Sequence, residues 1–543
     1  GLMEDPQKRV FINEQVCEGC GDCSVQSNCL SVIPVETEFG RKRAIDQSSC
    51  NKDYSCLKGF CPSFVTVHGG RLRKAAQKGR SAVLAADDDL PSPVLPALDE
   101  PWGILVTGIG GTGVVTIGAL LGMGAHLEGK GCSILDMTGL AQKGGAVYSH
   151  IRIAKAPEDI HAVRIAAGGA RLLIGGDMVV SGSFDALAKL RAGFSHAVIN
   201  AHETVTGEFT RNPDFTLPNR ELHRVLRNAV GPEAADFLDA TRLATALMGD
   251  SIATNPFLLG YAWQKGMIPL SDEALLRAIE LNGVAVEANK QAFLWGRRAA
   301  HDLASVERAA APALAEPATH RLSRTLEDLI AKRVEHLTRY QNRAYAERYR
   351  ALVERVREAE ETRAKGMTGL AEAVARALHK LMAYKDEYEV ARLYTDGTFL
   401  AQLRQQFEGD YRLQFHLAPP LLADRDPETG HLKKRAYGPW MLKAFAVLAR
   451  LKGLRGTALD PFGRSEERRR ERALIGQYER VVEELIQSLT HENHELAVEI
   501  ARLPLDIRGF GHVQEANLVK VKQREAELLA AFRAPQPQMS AAE

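Results

Sequence analysis

The sequence has almost no net charge: 69 Lys and Arg stand against 68 Asp and Glu in 543 residues. That balance excludes a long-range field of the kind that gathers nucleic acid or an anionic membrane surface. A basic-then-apolar N-terminal segment of secretory type is also missing, so a cytoplasmic location is expected. Gly1 rather than Met opens the chain, which fits a trimmed terminus or a start inside a longer polypeptide. Nor is there an unbroken apolar run. The longest uncharged stretch, "PWGILVTGIGGTGVVTIGALLGMGA" from Pro101 to Ala125, would cross a bilayer by length alone. Eight glycines punctuate it, and four of them, Gly108, Gly110, Gly111 and Gly113, sit where a buried strand would turn into a helix, so no membrane span is expected.

Cysteine is nearly absent beyond residue 61. Seven of the eight cysteines fall between Cys17 and Cys61, and Cys132 is the exception. A secreted disulfide scaffold does not explain this, because the rest of the chain has almost no cysteine to match an oxidising compartment. Zinc fits poorly too, since its sites take two separated pairs rather than three cysteines at successive three-residue steps. Cys17-x2-Cys20-x2-Cys23 instead wraps a loop so that three thiolates face one iron–sulfur cluster, with a fourth ligand from a distant cysteine followed by proline, here Cys61-Pro62. The reciprocal half follows by pseudo-twofold symmetry. Cys50, Asp53 and Cys56 would hold a second cluster, with Cys29 crossing over from the first half.

Asp53 stands where a cysteine is expected, and the intervals Cys23 to Cys29 and Cys56 to Cys61 also depart from the standard spacing. One four-iron cluster is expected, with a second of four-iron or three-iron type. An Asp53 carboxylate would be a hard oxygen ligand on the iron left without a thiolate.

At this length several cores are expected. Residues 1–75 read as a ferredoxin-like module and 76–100, with "DDDLPSPVLPALDEP", as a linker. Residues 101–305 alternate strands and helices: "GILVTG", "CSILDM", "VYSHIRI", "RLLIGGD" and "HAVINAH" are strands, and the segment turns helical from Asp214. This pattern implies a mostly parallel, doubly wound α/β sheet. A second linker is expected over 306–320, a mostly helical domain over 321–533 and a flexible tail over 534–543. In the helical domain Leu322, Leu326, Leu329, Val334 and Leu337, then Tyr345, Tyr349, Leu352 and Val356, recur as on one face of a long helix, a packing or docking surface.

Glycines 108, 110 and 113 form G-x-G-x-x-G between strand and helix, which brings backbone N–H groups toward a phosphate. Gly111 and Thr112 belong to the same loop, and Asp136 ends the next strand, where a ribose hydroxyl would be read. Tight strand–helix packing would select the same glycines.

"VCEGCGDCSVQSNCLSV", "DQSSCNKDYSCLKGFCPSF", "GIGGTGVVTIGALLGMGAHLEGKG" and "MTGLAQKGGAVYSHIRI" together resemble the indolepyruvate:ferredoxin oxidoreductases of the long fused type. These belong to the thiamine-diphosphate-dependent 2-oxoacid:ferredoxin oxidoreductases. The resemblance extends to "LMAYKDEYEVARLY", "GPWMLKAF" and "LKGLRGTALDPFG". It implies a gamma-type α/β domain, iron–sulfur clusters, and oxidative decarboxylation of an aryl pyruvate to an acyl-coenzyme A with reduction of ferredoxin. Thiamine-diphosphate domains of the family carry Gly-Asp-Gly. Here Gly21-Asp22, Gly176-Asp177, Gly249-Asp250 and Gly409-Asp410 are followed by Cys, Met, Ser and Tyr.

The chain therefore resembles the C-terminal half: an electron-transfer and assembly module, oligomeric, silent without a partner that binds thiamine diphosphate and magnesium, and donating to ferredoxin. The loops "TGIGGTG" and "GLAQKGGA" would face the partner's active site or coenzyme A. Two other readings stand beside it: an NAD(P)-dependent iron–sulfur oxidoreductase, and a redox subunit without catalysis.

Overall fold

The computed structural model describes residues 6–73, 90–111, 113–138, 145–204, 206–314, 317–419, 423–425, 427–428 and 430–534. They fall into two compact units. One comprises the described residues within 1–46, 51–72 and 317–543; the other comprises those within 47–50 and 73–316.

In the first unit the cysteine-rich segment does not stand alone. Strand Lys8–Ile12 pairs antiparallel with Phe64–Leu72, from Lys8 opposite His68 to Ile12 opposite Phe64. The other edge of Phe64–Leu72 is taken by Phe407–Leu417, also antiparallel, from Phe407 opposite Leu72 to Phe415 opposite Val65, with an irregularity between Glu408 and Tyr411. Arg435–Tyr437 closes the sheet against Phe415–Leu417. The C-terminal region thus supplies two of the four strands, where a mostly helical domain was expected.

Side chains on one face of this sheet meet the helix Glu387–Thr395. Phe11, Val65, Val67, Leu413 and Phe415 pack with Tyr394, Phe399 and Phe445 in one buried cluster. Tyr394 lies 4.9 Å from Phe399, 5.2 Å from Phe415 and 5.1 Å from Phe445, ring centroid to centroid. Such aromatic pairs add about 0.5–1.5 kcal/mol each beyond the area they bury.

A hairpin, Val32–Thr37 with Gly40–Ile45, is tied to the C-terminal helices by a buried pair. Arg333 donates to a Glu38 carboxylate oxygen at 2.5 Å and to the Glu38 backbone carbonyl at 2.9 Å. Arg333 belongs to helix Leu326–Tyr340, which is followed by helix Arg343–Arg363. The apolar stripe read as one long helix is therefore two. Asn342 breaks it, extended in backbone and capping the second helix by accepting from Tyr345 N–H at 2.9 Å, as short polar side chains do at helix starts.

The second unit holds a six-stranded sheet in the order Ala235–Leu238, His196–Asn200, Leu172–Gly175, Trp102–Ile109, Ala146–Ala154, Gly131–Thr138. The first four strands are mutually parallel, and Ala146–Ala154 runs antiparallel to both its neighbours. Successive side chains alternate between two cores, as strand pleating requires. Ile104, Val106, Leu172, Ile174 and Val198 face one, together with residues of the helices Val114–Leu127, Thr254–Gln264 and Val286–His301. Leu105, Leu173, Ala197 and Ile199 face the other. Both faces are covered, which is the doubly wound arrangement. Helix Leu303–Ala310 runs into the segment expected as a linker and buries Val306 and Ala310. Residues 74–75 at the end of the expected module, 76–89 of the first expected linker and 535–543 of the expected tail lie outside the described residues. Among the described residues no helix is long and apolar enough to cross a membrane.

Phe415 is fully buried at the centre of the shared sheet. Phe415→Ala is expected to cost about 3–5 kcal/mol in chemical denaturation. Amide-exchange protection should fall in its partner strand Phe64–Leu72 and hold in Trp102–Ile109. Equal loss in both strands would contradict two separate cores.

Candidate functional site

The loop that carries the first three cysteines turns sharply through Gly19 and Gly21, both with positive φ, into the short helix Asp22–Ser27. Cys17, Cys20, Cys23 and Cys61 line one cavity, with Arg43, Gly59 and Phe64 among its other walls. The four thiols expected to act together are thus brought together. Two of the sulfurs already have hydrogen-bond partners: Gly19 N–H donates to Cys17 Sγ at 3.3 Å, and Ser63 Oγ and Cys61 Sγ share a hydrogen bond at 2.9 Å. Burial pushes the Cys20 thiol up to about 12, with Cys61 and Cys17 adding to it. Cys23 is raised by burial and then by Cys61, Cys17 and Cys20. Thiols so placed keep their protons until a cation replaces them, which couples metal binding to proton release. Among the described residues, no three His, Cys, Asp or Glu side chains are gathered as for a single metal ion. A cluster differs in that its thiolates bind separate irons.

Gly59 fixes how closely the two cysteine loops approach. A Cβ there would lie 2.7 Å from Cys23 Cα and 2.9 Å from Cys23 N, so no larger residue fits without moving the third cysteine. Around this cavity the C-terminal region contributes groups that sequence reasoning missed. Lys385 Nζ donates to the carbonyls of Val16 at 3.2 Å and Cys17 at 3.0 Å. Tyr394 Oη donates to Pro62 O at 2.6 Å, and Lys434 Nζ donates to Gly59 O. Glu18 pairs with Lys385 at 2.6 Å; burial would raise its carboxyl, but Lys385, Lys380 and Lys42 hold it far below the usual range. Burial pushes Lys42 down to about 7. The only sequence signal was the density of basic residues after residue 321, which carries no address.

The second expected set is placed less completely. Cys29 and Cys56 are buried, and Cys50 is half-buried. Cys50 falls in the segment 47–50, grouped with the second unit. Asp53 is exposed. Its Oδ1 accepts from Ser55 N–H at 3.0 Å and from Ser55 Oγ at 2.8 Å, and its Oδ2 from Asn51 Nδ2 at 3.3 Å. The carboxylate starts the turn that bears Cys56, a local role that short acidic side chains often take.

In the second unit the glycine loop leaves the carboxyl end of strand Trp102–Ile109, where open α/β sheets bind ligands. Gly108 is within the strand. Gly110 N–H donates to Gly145 O at 2.7 Å. Gly111 has φ 93° with open space where a side chain would go, whereas Gly113, φ 84°, has Asn255 Nδ2 2.4 Å from the position of a Cβ. Thr112 lies outside the described residues, as do 139–144 of "GLAQKGGA".

Beside the loop, Asn200 Nδ2 donates to Gly176 O at 2.9 Å and to Thr241 Oγ1 at 2.8 Å. His202 Nδ1 lies 3.0 Å from Asp239 Oδ1. Asp177 accepts from Val180 N–H at 2.8 Å, and burial raises its carboxyl. None of these was singled out from sequence, though each lies at or just past a strand end. Asp136 sits on Gly131–Thr138, the far edge strand, separated from the glycine-loop strand by Ala146–Ala154. A dinucleotide fold places that acidic strand next to the first one, so the ribose role read for Asp136 lacks its topology.

Residues 103–299 match the family model described as pyruvate ferredoxin/flavodoxin oxidoreductase, and residues 326–527 match a family of unknown function. Curated relatives include the indolepyruvate oxidoreductase subunits IorB of Thermococcus kodakarensis, 25% identical, and Pyrococcus horikoshii, 27% identical. Each match spans 207 residues, 38% of this chain and 98% of the relative. Similar solved chains include pyruvate oxidoreductase subunit PORC of Thermotoga maritima, 20% identical with TM-score 0.27, covering 37% of this chain and 97% of that one. Another is 2-oxoglutarate:ferredoxin oxidoreductase of Magnetococcus marinus, 15% identical with TM-score 0.29, covering 37% of this chain and 31% of that one.

The three loop glycines separate by substitution to alanine. Gly113→Ala, strained in φ and in clash with Asn255, is expected to lose more than the roughly 1–2 kcal/mol of a left-handed backbone alone. Gly111→Ala should lose about that amount, and Gly110→Ala the least. Thermal denaturation of the three variants checks the order, and equal losses would contradict it.

Proposed function

We propose, given that the chain belongs through residues 103–299 to the pyruvate ferredoxin/flavodoxin oxidoreductase family as its gamma-type domain, that it is the electron-transfer and assembly half of an indolepyruvate, or related aryl-pyruvate, ferredoxin oxidoreductase. The observation that carries this reading is the single cavity lined by Cys17, Cys20, Cys23 and Cys61, on a chain that also has the gamma-type domain. A four-iron cluster held by these four would accept and pass electrons one at a time. Cys29, Cys50 and Cys56, with or without Asp53, are the proposed ligands of a second cluster. The hydrogen bonds that Asp53 makes to Ser55 favour the three-iron form.

The overall reaction converts a 2-oxoacid anion, the coenzyme A thiol and two equivalents of a one-electron oxidised ferredoxin to acyl-coenzyme A, carbon dioxide, two equivalents of reduced ferredoxin and a proton. Decarboxylation needs an electron sink, supplied by thiamine diphosphate with magnesium. This sequence has no Gly-Asp-Gly to hold that metal, so a partner chain or another part of a longer protein is proposed to bind it. In the α/β unit, Gly110, Gly111 and Gly113 leave the carboxyl end of the parallel strands with little side-chain bulk. They are the proposed approach for the coenzyme A phosphates or for the partner's active site, with Gly108 and Thr112 completing the loop. The strand order around Asp136 speaks against the NAD(P) reading.

The isolated chain with thiamine diphosphate, magnesium, coenzyme A and indolepyruvate is expected to reduce no dye. Addition of the thiamine-binding half should start the reaction. Dye reduction by the isolated chain that depends on the 2-oxoacid would contradict the assignment.

A further inference from the structure

Lys434 has an environment that an ordinary surface lysine avoids. It immediately precedes strand Arg435–Tyr437, whose pairing with Phe415–Leu417 fixes where its backbone lies. From there the half-buried side chain reaches back to a loop 375 residues earlier, where its ammonium donates to Gly59 O and stands 4.9 Å from the centre of the Phe64 ring. Gly59 O also accepts from Cys61 N–H at 3.1 Å, and Gly59 N–H donates to Cys56 O at 3.1 Å. One lysine therefore grips the turn that joins Cys56 to Cys61.

No carboxylate among the described residues comes within ion-pair distance of it. Asp22, an acidic group that acts on it with attractive sign, accepts from Phe60 N–H at 2.6 Å and from Gln26 Nε2 at 3.4 Å and makes no ion pair with it. The other ionisable groups that act on Lys434 with attractive sign are the thiols of Cys61, Cys23 and Cys56. A cation withdrawn from water without an anionic partner is costly. Here the anions in reach are Asp22 and, once a cluster is bound, a set of thiolates. Lys385 makes a similar grip on Val16 and Cys17, but it is ion-paired with Glu18 at 2.6 Å.

We infer that Lys434 is a counter-ion of the four-cysteine iron–sulfur cluster beside Arg43 of the cavity wall, a positioning residue lent by the C-terminal region that holds the Cys56–Cys61 turn and raises the cluster's reduction potential. The inference rests on the cluster reading above. Its sign is fixed by charge: the reduced cluster is more negative than the oxidised one, so a nearby cation favours reduction. The edge of the shared sheet thereby delivers the ammonium to the cysteine module.

The test uses the full chain, purified anaerobically, with iron counting and a redox titration followed by electron paramagnetic resonance. In Lys434→Gln the reduced-to-oxidised ratio at fixed potential should fall about tenfold, which is 59 mV for a one-electron couple. Lys434→Arg should stay within about twofold of the native ratio, as should Lys433→Gln, an exposed neighbour that removes the same charge where solvent screens it. Loss of iron in Lys434→Gln that Lys434→Arg restores would also support the counter-ion role. A native potential in Lys434→Gln, or iron loss alike in the Gln and Arg variants, would overturn it. A native chain that holds no cluster under these conditions would overturn the cluster reading itself, and the inference with it.

Discussion

The structure of the first unit depends on one backbone pairing, that of Phe64–Leu72 with Phe407–Leu417. Without it, Phe64–Leu72 would pair on one side alone, with Lys8–Ile12, and a module of some seventy residues would have little apolar surface to bury. With it, the sheet gains a buried face against Tyr394, Phe399 and Phe445. The cysteine loops are then attached to a core that their own sequence does not contain.

The chemistry around the cysteines follows from that attachment. Once the strands are paired, Tyr394 reaches Pro62, Lys385 reaches Cys17 and Lys434 reaches Gly59, so each loop bearing a cysteine of the cavity is held by a group from beyond residue 380. Each bond is worth only about 0.5–1.5 kcal/mol, or somewhat more where a charge is involved. Together they fix the positions of thiols that must face one another before any iron arrives. The region matched to a family of unknown function, residues 326–527, contains all three groups.

Much of the local pattern was legible in the sequence. The three-residue steps of Cys17, Cys20 and Cys23 pointed to a common cavity with Cys61, and these four line one. The strands of the α/β unit were readable because β-branched runs such as "GILVTG" and "HAVIN" are short, apolar and bounded by glycine or polar turns. What failed was non-local. "FEGDYRLQFHL" reads poorly as a strand because Gly409-Asp410 looks like a turn and separates buried Phe407 from the regular inward alternation of Leu413, Phe415 and Leu417; its partner Phe64–Leu72 lies more than three hundred residues away. The break at Asn342 was missed because the apolar spacing continues across it, and only the cap reveals two helices. Lys434 was invisible for a different reason: a lysine in "HLKKRAY" carries no mark of which anion it faces.

The central claim is that Cys17, Cys20, Cys23 and Cys61 hold a cluster within a shell built by both ends of the first unit. It is tested most directly by iron and acid-labile sulfide counting on the anaerobically reconstituted full chain, native and Cys20→Ser. The account predicts about four irons or more per native chain and a loss of about one cluster's worth in the variant. A folded native chain that retains less than about one iron, or a Cys20→Ser chain with unchanged iron and sulfide, would contradict it.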